Sequence, residues 1–372
     1  MSVTEEESGV ADPELKAHRE LAAGTRAFDA GDLAHAAMHA SNAVVAAPSL
    51  PEAHQLLARL ADHPQGGRDL FPLNDPLALA TLVARGHVVA QEGDFGYALG
   101  LLGKAQAHVP ETAWADVPWV IAAATAAAVP PEAVTNLALD LLEVVREHPE
   151  PGNLRPAMTP YLQLIGNTIA VHPDEGGLLG AAAYLFRRFD IATAADYAVR
   201  ADELTPSHAS AVGLGLILRD LGHIDEALRA WVRALGYQPD NLAVYADIGE
   251  MLLKAGRLDE AFAYGQRALA IDPAHICSRI TVLEIQFRQT RDPAHLEALL
   301  AIFEAQQSGN HAWGHAQRAL LAATGTASGN LVVGGSRSVL VHGSKRHLLA
   351  QTKGFIKARS KQANGTNTTP PS

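Results

Sequence analysis

Five landmark residues of this chain recur at a fixed offset of 34: Gly215/Gly249, Gly222/Gly256, Ala227/Ala261, Ala234/Ala268 and Pro239/Pro273. A period of that size is about one helix-turn-helix hairpin, so the chain reads as stacked helical pairs, an architecture that presents concave binding surfaces. Each landmark has a mechanical reason. Gly215 and Gly249 fall mid-helix, where glycine costs roughly 1 kcal/mol against alanine, so a close approach through Ala227 and Ala261 should offset it. Gly222 and Gly256 suit the left-handed position that ends a first helix. Ala234 and Ala268 admit the next pair, and Pro239 and Pro273 stop the second helix because proline lacks an N–H and clashes with the preceding turn.

The same five-residue signature appears twice more at an offset of 62: Gly24/Gly86, Gly31/Gly93, Ala36/Ala98, Ala43/Ala105 and Pro48/Pro110. This pattern resembles the tetratricopeptide repeat (TPR) family, with good units at 17–50, 79–112, 208–241 and 242–275. A worn unit at 175–207 keeps Ala182, Ala194, Ala201 and Pro206 but has Phe189 where glycine belongs. The resemblance covers about half of the chain. It implies an all-α fold, a TPR-type α-solenoid of stacked antiparallel helix hairpins with a short irregular, basic C-terminal tail.

The organisation expected is an acidic, disordered 1–14; repeats over 15–112; and a bridging segment, 113–174, with helical runs near 116–128, 131–147 and 158–172. Repeats and capping helices near 276–290, 294–307 and 311–323 complete 175–325, and a Gly/Ser-containing tail, 326–372, ends the chain. Hydrophobic residues make up 48% of the sequence and aromatics only 5%, which suits closely packed alanine-rich helices better than an aromatic-rich β-core. The lone Cys277 allows no disulfide framework and no thiolate metal site. The acidic start reads as no signal peptide, and the most apolar window, Trp119 to Val129, is too short to span a bilayer. A cytoplasmic location is the expectation.

The resemblance also implies which positions line the concave groove. Positions 2, 5, 9 and 12 of the first helices give His18, Leu21, Thr25 and Phe28; Ala80, Val83, His87 and Ala90; Ala209, Val212, Leu216 and Arg219; and Ala243, Ala246, Glu250 and Leu253. Past Pro273 they give Cys277, Ile280, Glu284 and Phe287. The partner-groove candidates are Thr25, Phe28, His87, Leu216, Arg219, Glu250, Leu253, Glu284 and Phe287. This lining is mostly apolar with isolated charges. It lacks the lysine and asparagine that the family's carboxylate clamp for chaperone C-termini needs at positions 5 and 9. An apolar helix or extended peptide fits it better.

Charge is distributed unevenly. Residues 326–372 carry Arg337, Lys345, Arg346, Lys353, Lys357, Arg359 and Lys361 and no acid, a net +7, against a body of net −18 (22 basic and 40 acidic residues). Leu348, Leu349, Thr352, Phe355 and Ile356 would form one apolar face on a short basic helix there. Such a tail docks on the body or meets an anionic partner.

Catalytic and metal templates fail. His35/His39 and His311/His315 have i, i+4 spacing but no third ligand and no glutamate beside the first histidine. Neither a phosphate loop nor a Gly-x-Ser-x-Gly elbow is present. The sequence therefore points to a non-enzymatic interaction scaffold without cofactor, whose protein or peptide partner lies in the groove. The alternative is an adaptor tethered to nucleic acid or an anionic membrane through the basic tail.

Overall fold

A computed structural model describes residues 12–74, 78–148 and 150–305 and the isolated positions 315, 318 and 319. The chain divides into two compact units, Met1–Ile217 and Leu218–Ser372. The described residues of the first contain α1 (Pro13–Asp29), α2 (Leu33–Ala46), α3 (Pro51–Asp62), α4 (Leu79–Gln91), α5 (Phe95–His108), α6 (Pro118–Ile121), α7 (Ala123–Ala128), α8 (Pro131–Glu147), α9 (Arg155–Val171), α10 (Gly176–Phe186) and α11 (Ile191–Leu204). The helix α12 (His208–Asp220) runs across the division. The second unit holds α13 (Ile224–Tyr237), α14 (Leu242–Lys254), α15 (Leu258–Ile271), α16 (Ile276–Thr290) and α17 (Pro293–Ala305). No strand occurs among the described residues. The protein is all-α, and sequential helices pair as hairpins: α1 on α2, α4 on α5, α10 on α11, α14 on α15.

Short-range chemistry sets the hairpin turns. Gly31, Gly93, Gly222 and Gly256 all have φ between +78° and +86°, a region that costs an L-residue roughly 1–2 kcal/mol. At Gly31 the N–H bonds the carbonyl of Phe28 and the next N–H, of Asp32, reaches back to Ala27; the same paired bonds recur at the other three. That is the glycine-dependent C-cap, and it satisfies carbonyls a helix end leaves open. The following residue often caps the second helix. The Asp32, Asp94 and Asp190 carboxylates accept from the N–H groups of His35, Tyr97 and Thr193. The Asn241 side chain does the same for Val244 at the start of α14. Asn241→Ala should lower the unfolding free energy by about 1 kcal/mol, read from the urea midpoint at unchanged slope.

In the worn unit Phe189 does not adopt positive φ. The Asp190 N–H instead bonds Phe186 O at 2.7 Å, a turn one residue tighter, and α10 ends early at Phe186. The mid-helix glycines mark close approach. A Cβ on Gly24 would lie 2.9 Å from Leu56 Cδ2 and 3.4 Å from the carbonyl of Ala36. Gly86 faces Ala98 O and Gly249 faces Ala261 O in the same way, at 3.4 and 3.9 Å from the added carbon.

Several expected boundaries move. The helix expected to begin after residue 14 starts at Pro13, with the Asp12 carboxylate accepting from the Glu14 N–H. The run 116–128 breaks at Ala122, whose ψ is 136°, into α6 and α7, and the Thr125 hydroxyl donates to the carbonyl of Trp119 across the break. The run at 158–172 begins earlier, at Arg155, and tolerates Pro160 one turn in. The expected helix 311–323 lies mostly outside the described residues, as do the tail 326–372 and its β-prone runs.

Candidate partner-binding faces

Clefts open on the helices of both units: besides one of about 490 Å³ between α5 and α8, lined by Lys104, Asp140, Glu143 and Glu147, one in each unit bears on partner binding. The first, of about 270 Å³, is lined by Thr135 and Leu139 of α8, Gly177, Gly180 and Tyr184 of α10, and Ala209, Ser210 and Leu214 of α12. Its floor is glycine and alanine because α10 runs Gly-Gly-Leu-Leu-Gly-Ala-Ala-Ala. A Cβ built on Gly177 or Gly180 meets nothing within 4 Å, so this stretch of helix faces open space. Tyr184 stands over Gly213, where a Cβ would be 2.9 Å from the phenol oxygen, and burial pushes the phenol above its usual pKa. Leu139 is exposed at one wall. Apolar walls with a few hydroxyls at the edge suit an apolar side chain or helix.

The second cleft, of about 370 Å³, belongs to the second unit and is lined by Arg219, Gly222, Ile224, Asp247, Glu250, Met251, Lys254 and Ala255. It is polar. Arg219 pairs with Asp220 at 2.9 Å and Asp247 at 3.7 Å, and Lys254 with Glu250 at 2.8 Å. The Arg219 guanidinium also lies 5.8 Å from the Trp231 ring centroid, near the limit of a cation–π contact. Cys277 is half-buried beside this face; burial first, then the charges of Glu250 and Asp247, push its thiol up.

The groove candidates split in two. Thr25, Phe28, Leu216, Arg219 and Glu250 are half-buried and reachable. His87, Leu253, Glu284 and Phe287 are only 2, 1, 0 and 0% exposed, and in this conformation they offer a partner no surface. On α14 Glu250 lines the cleft as mapped, whereas Leu253 is buried and its neighbour Lys254 is exposed. Asp247 and Lys254, one place beyond mapped positions 246 and 253, are the cleft residues the mapping passed over, as are Leu139, Gly177, Gly180 and Tyr184 of the apolar cleft. The Gly-x-x-Gly-x-x-x-Tyr spacing of α10 was visible in the sequence but carries no signal without its neighbours. Phe28 is engaged by Arg59 of α3, whose guanidinium sits 4.1 Å from the ring centroid and pairs with Asp29 at 3.0 Å. Lys345, Arg346, Lys353, Lys357, Arg359 and Lys361 lie outside the described residues. Of the histidine pairs, His35 and His39 are each bonded to a carboxylate, Asp32 and Glu20 respectively.

The sequence of residues 212–276 matches the tetratricopeptide repeat family. This segment is tetratricopeptide repeat. Solved structures similar to the chain include a tetratricopeptide repeat protein from Parabacteroides merdae, at 11% identity over 82% of this chain and 99% of that one, with a TM-score of 0.38. They also include YrrB, described as a TPR protein with an unusual peptide-binding site, at 18% identity over 57% of this chain and 95% of that one, TM-score 0.39. A third is PilW, a type IV pilus biogenesis factor, at 13% identity over 66% and 99%, TM-score 0.40. No curated protein matches.

Departures from the 34-residue spacing accompany the burial of some mapped positions. In a regular array the next first helix follows after 34 residues, but here α3 and the segment after it intervene between the pairs α1–α2 and α4–α5. His54 of α3 and Trp119 of α6 then lie on the α4 face that the register assigns to the groove. Trp119 Nε1–H donates to His87 Nδ1 at 3.1 Å, and the His54 and His87 rings meet edge to face at 4.5 Å. At the other end, Phe287 is closed over by Leu296, Leu299, Leu300 and Ala319. Glu284 is closed over by His315 at 2.6 Å and Arg318 at 3.1 Å, with Arg288 on the same helix. Among the described residues no helix is long and apolar enough to cross a membrane.

Proposed function

We propose that this protein is a non-enzymatic interaction scaffold that holds an apolar helix or extended peptide of a partner protein along its helix-lined clefts. What carries the reading is the apolar cleft over α8, α10 and α12, whose glycine floor at Gly177 and Gly180 leaves room for a bulky side chain. The charged cleft at Arg219, Asp247, Glu250 and Lys254 adds paired donors and acceptors that orient a peptide backbone or a polar flank. The peptide-binding site named for YrrB belongs to that protein and supplies only the precedent of a repeat array with a peptide ligand.

The test fills the cleft without damaging the helix. Gly180→Leu replaces a poor helix former with a good one at a position with no neighbour within 4 Å, so α10 should form at least as well. Affinity for captured partners should fall about tenfold or more, because a packed leucine competes for their anchor side chain. Equal retention of every partner by wild type and Gly180→Leu, and by Arg219→Glu combined with Glu250→Lys, would sink the cleft reading.

A second reading rests on the charge asymmetry between the +7 segment 326–372 and the −18 body. A tether to a nucleic acid or an anionic membrane would weaken steeply with salt and disappear on deletion of 326–372. A full-length chain that ignores DNA, RNA and anionic vesicles at low salt removes it.

A further inference from the structure

We propose that His87, His54 and Trp119 form an acid-released latch that keeps the groove face of α4 covered at neutral pH and uncovers it when His87 takes up a proton.

The hydrogen-bond chemistry assigns the protons. An indole N–H can only donate, so Nδ1 of His87, which Trp119 Nε1 meets at 3.1 Å, is the unprotonated acceptor, and Nε2 carries the ring hydrogen. His54 Nε2 lies 2.6 Å from the carbonyl of Pro48, an acceptor only, so that nitrogen is the His54 donor. The His87 ring is therefore neutral, while the Pro48 bond fixes only the Nε2 hydrogen of His54. The His54 and His87 rings sit edge to face at 4.5 Å, with interplanar angle 89°, and Phe95 stacks on Trp119 at 5.9 Å.

A proton arriving at His87 has one place to go, Nδ1. The new N–H then points at the indole N–H, and two donors cannot share that position. Protonation and the Trp119 bond are mutually exclusive. The released side chain sits on α6, a helix of four residues that ends at the break at Ala122, and keeps the Phe95 stacking contact and the Thr125 bond to its carbonyl. What it uncovers is the α4 face that carries His87 itself.

The surroundings offer the imidazolium no compensation. The ionisable group facing His87 from α3 is His54, which would repel it. Around α4, His35 of α2 is held by Asp32 and His39 by Glu20; Arg68 is held by Glu92, and the Asp94 side chain accepts from the Tyr97 N–H at the start of α5. On α4 itself Arg85 donates to the carbonyls of Arg68 and Phe71. Burial first, and the neighbouring His54 second, hold the His87 imidazole well below its usual pKa of 6.5. Burial likewise depresses His54, against the Pro48 bond. The sign follows. The unfolded chain takes up these protons below about pH 6.5, whereas the closed form does not, so lowering the pH further favours opening.

The experiment follows the indole N–H resonance of Trp119 in the 15N-labelled full-length chain, identified by its absence in Trp119→Phe, together with hydrogen exchange of α4. Between about pH 7 and pH 4 the signal should move to the position of a solvent-exposed indole. Over the same range α4 amides, corrected for intrinsic rates, should exchange about tenfold faster or more, while far-UV ellipticity holds. His87→Gln keeps an acceptor for the indole but has no proton to gain, and should hold the resonance in place. Trp119→Phe should show the fast exchange already at neutral pH. A resonance that shifts identically in His87→Gln, or that moves only when ellipticity is lost, overturns the latch. So does a Trp119→Phe chain whose α4 is as protected at neutral pH as wild type, which decides the matter even if His87→Gln fails to fold.

Discussion

Glu284→Ala is expected to destabilise the second unit by about 3–5 kcal/mol, the cost of breaking a buried ion pair by deleting one partner. The carboxylate is fully buried and is met by Arg288 from its own helix and by His315 and Arg318 from a segment some 30 residues on. Removing it leaves cationic groups gathered around nothing. The guanidiniums of Arg288 and Arg318 keep 21 and 29% of their side-chain surface in water, which softens the penalty toward the lower end of the range. Burial alone would raise the pKa of Glu284, but the His315 hydrogen bond and the charges of Arg318, His315 and Arg288 overcome it and hold the carboxyl below its usual 4.5. A depressed carboxyl contributes stability above its unfolded pKa and loses it as pH falls through the folded value. Wild type should therefore lose stability below about pH 4.5 and Glu284→Ala should lose less there. Urea unfolding of both chains, monitored by hydrogen exchange of α16, checks the magnitude and the pH window together. Equal midpoints would show that the cluster holds nothing in place.

Trp231→Ala is the second large effect, again about 3–5 kcal/mol. Trp231 is fully buried in α13 among Ala227, Ala230 and Ala234, all fully buried. Alanine neighbours cannot move in to fill the void, because a methyl side chain has no rotamer to change. The loss also withdraws the ring from Arg219, a wall of the charged cleft, so a ligand bound there should weaken with the fold. In a repeat architecture each hairpin depends mainly on its neighbours, so the damage should spread outward from α13 rather than unfold every helix at once. Exchange measured helix by helix reads this directly, with the fastest new exchange in α13. Uniform exchange throughout both units would contradict the picture.

What was legible in the sequence was what short-range chemistry controls. The turn glycines at 31, 93, 222 and 256 occupy left-handed backbone as their spacing required, because only the local chain decides which residue ends a helix. The alanines opposite Gly24, Gly86 and Gly249 lie at the close approaches expected of them. Phe189 marked a worn unit, and the turn there does close differently, with Asp190 reaching Phe186. The aspartates after two of these glycines, Asp32 and Asp94, cap the next helices, a role the landmark spacing did not single out.

The groove itself was not legible. A position map drawn from the repeat treats every first helix as open on one side, but coverage is a long-range property. Trp119 reaches His87 across 32 residues, and Arg318 reaches Glu284 across 34. Neither contact has a periodic signal. Leu253 is buried on the same helix whose Glu250 lines the cleft, because the repeat spacing does not say which side of α14 its neighbours cover. The sequence by itself determined where helices end and how each pairs with its successor, because glycine, alanine, proline and aspartate act within one turn of the chain. Only the tertiary structure decided which concave positions stay open, because burial is settled by side chains arriving from distant segments.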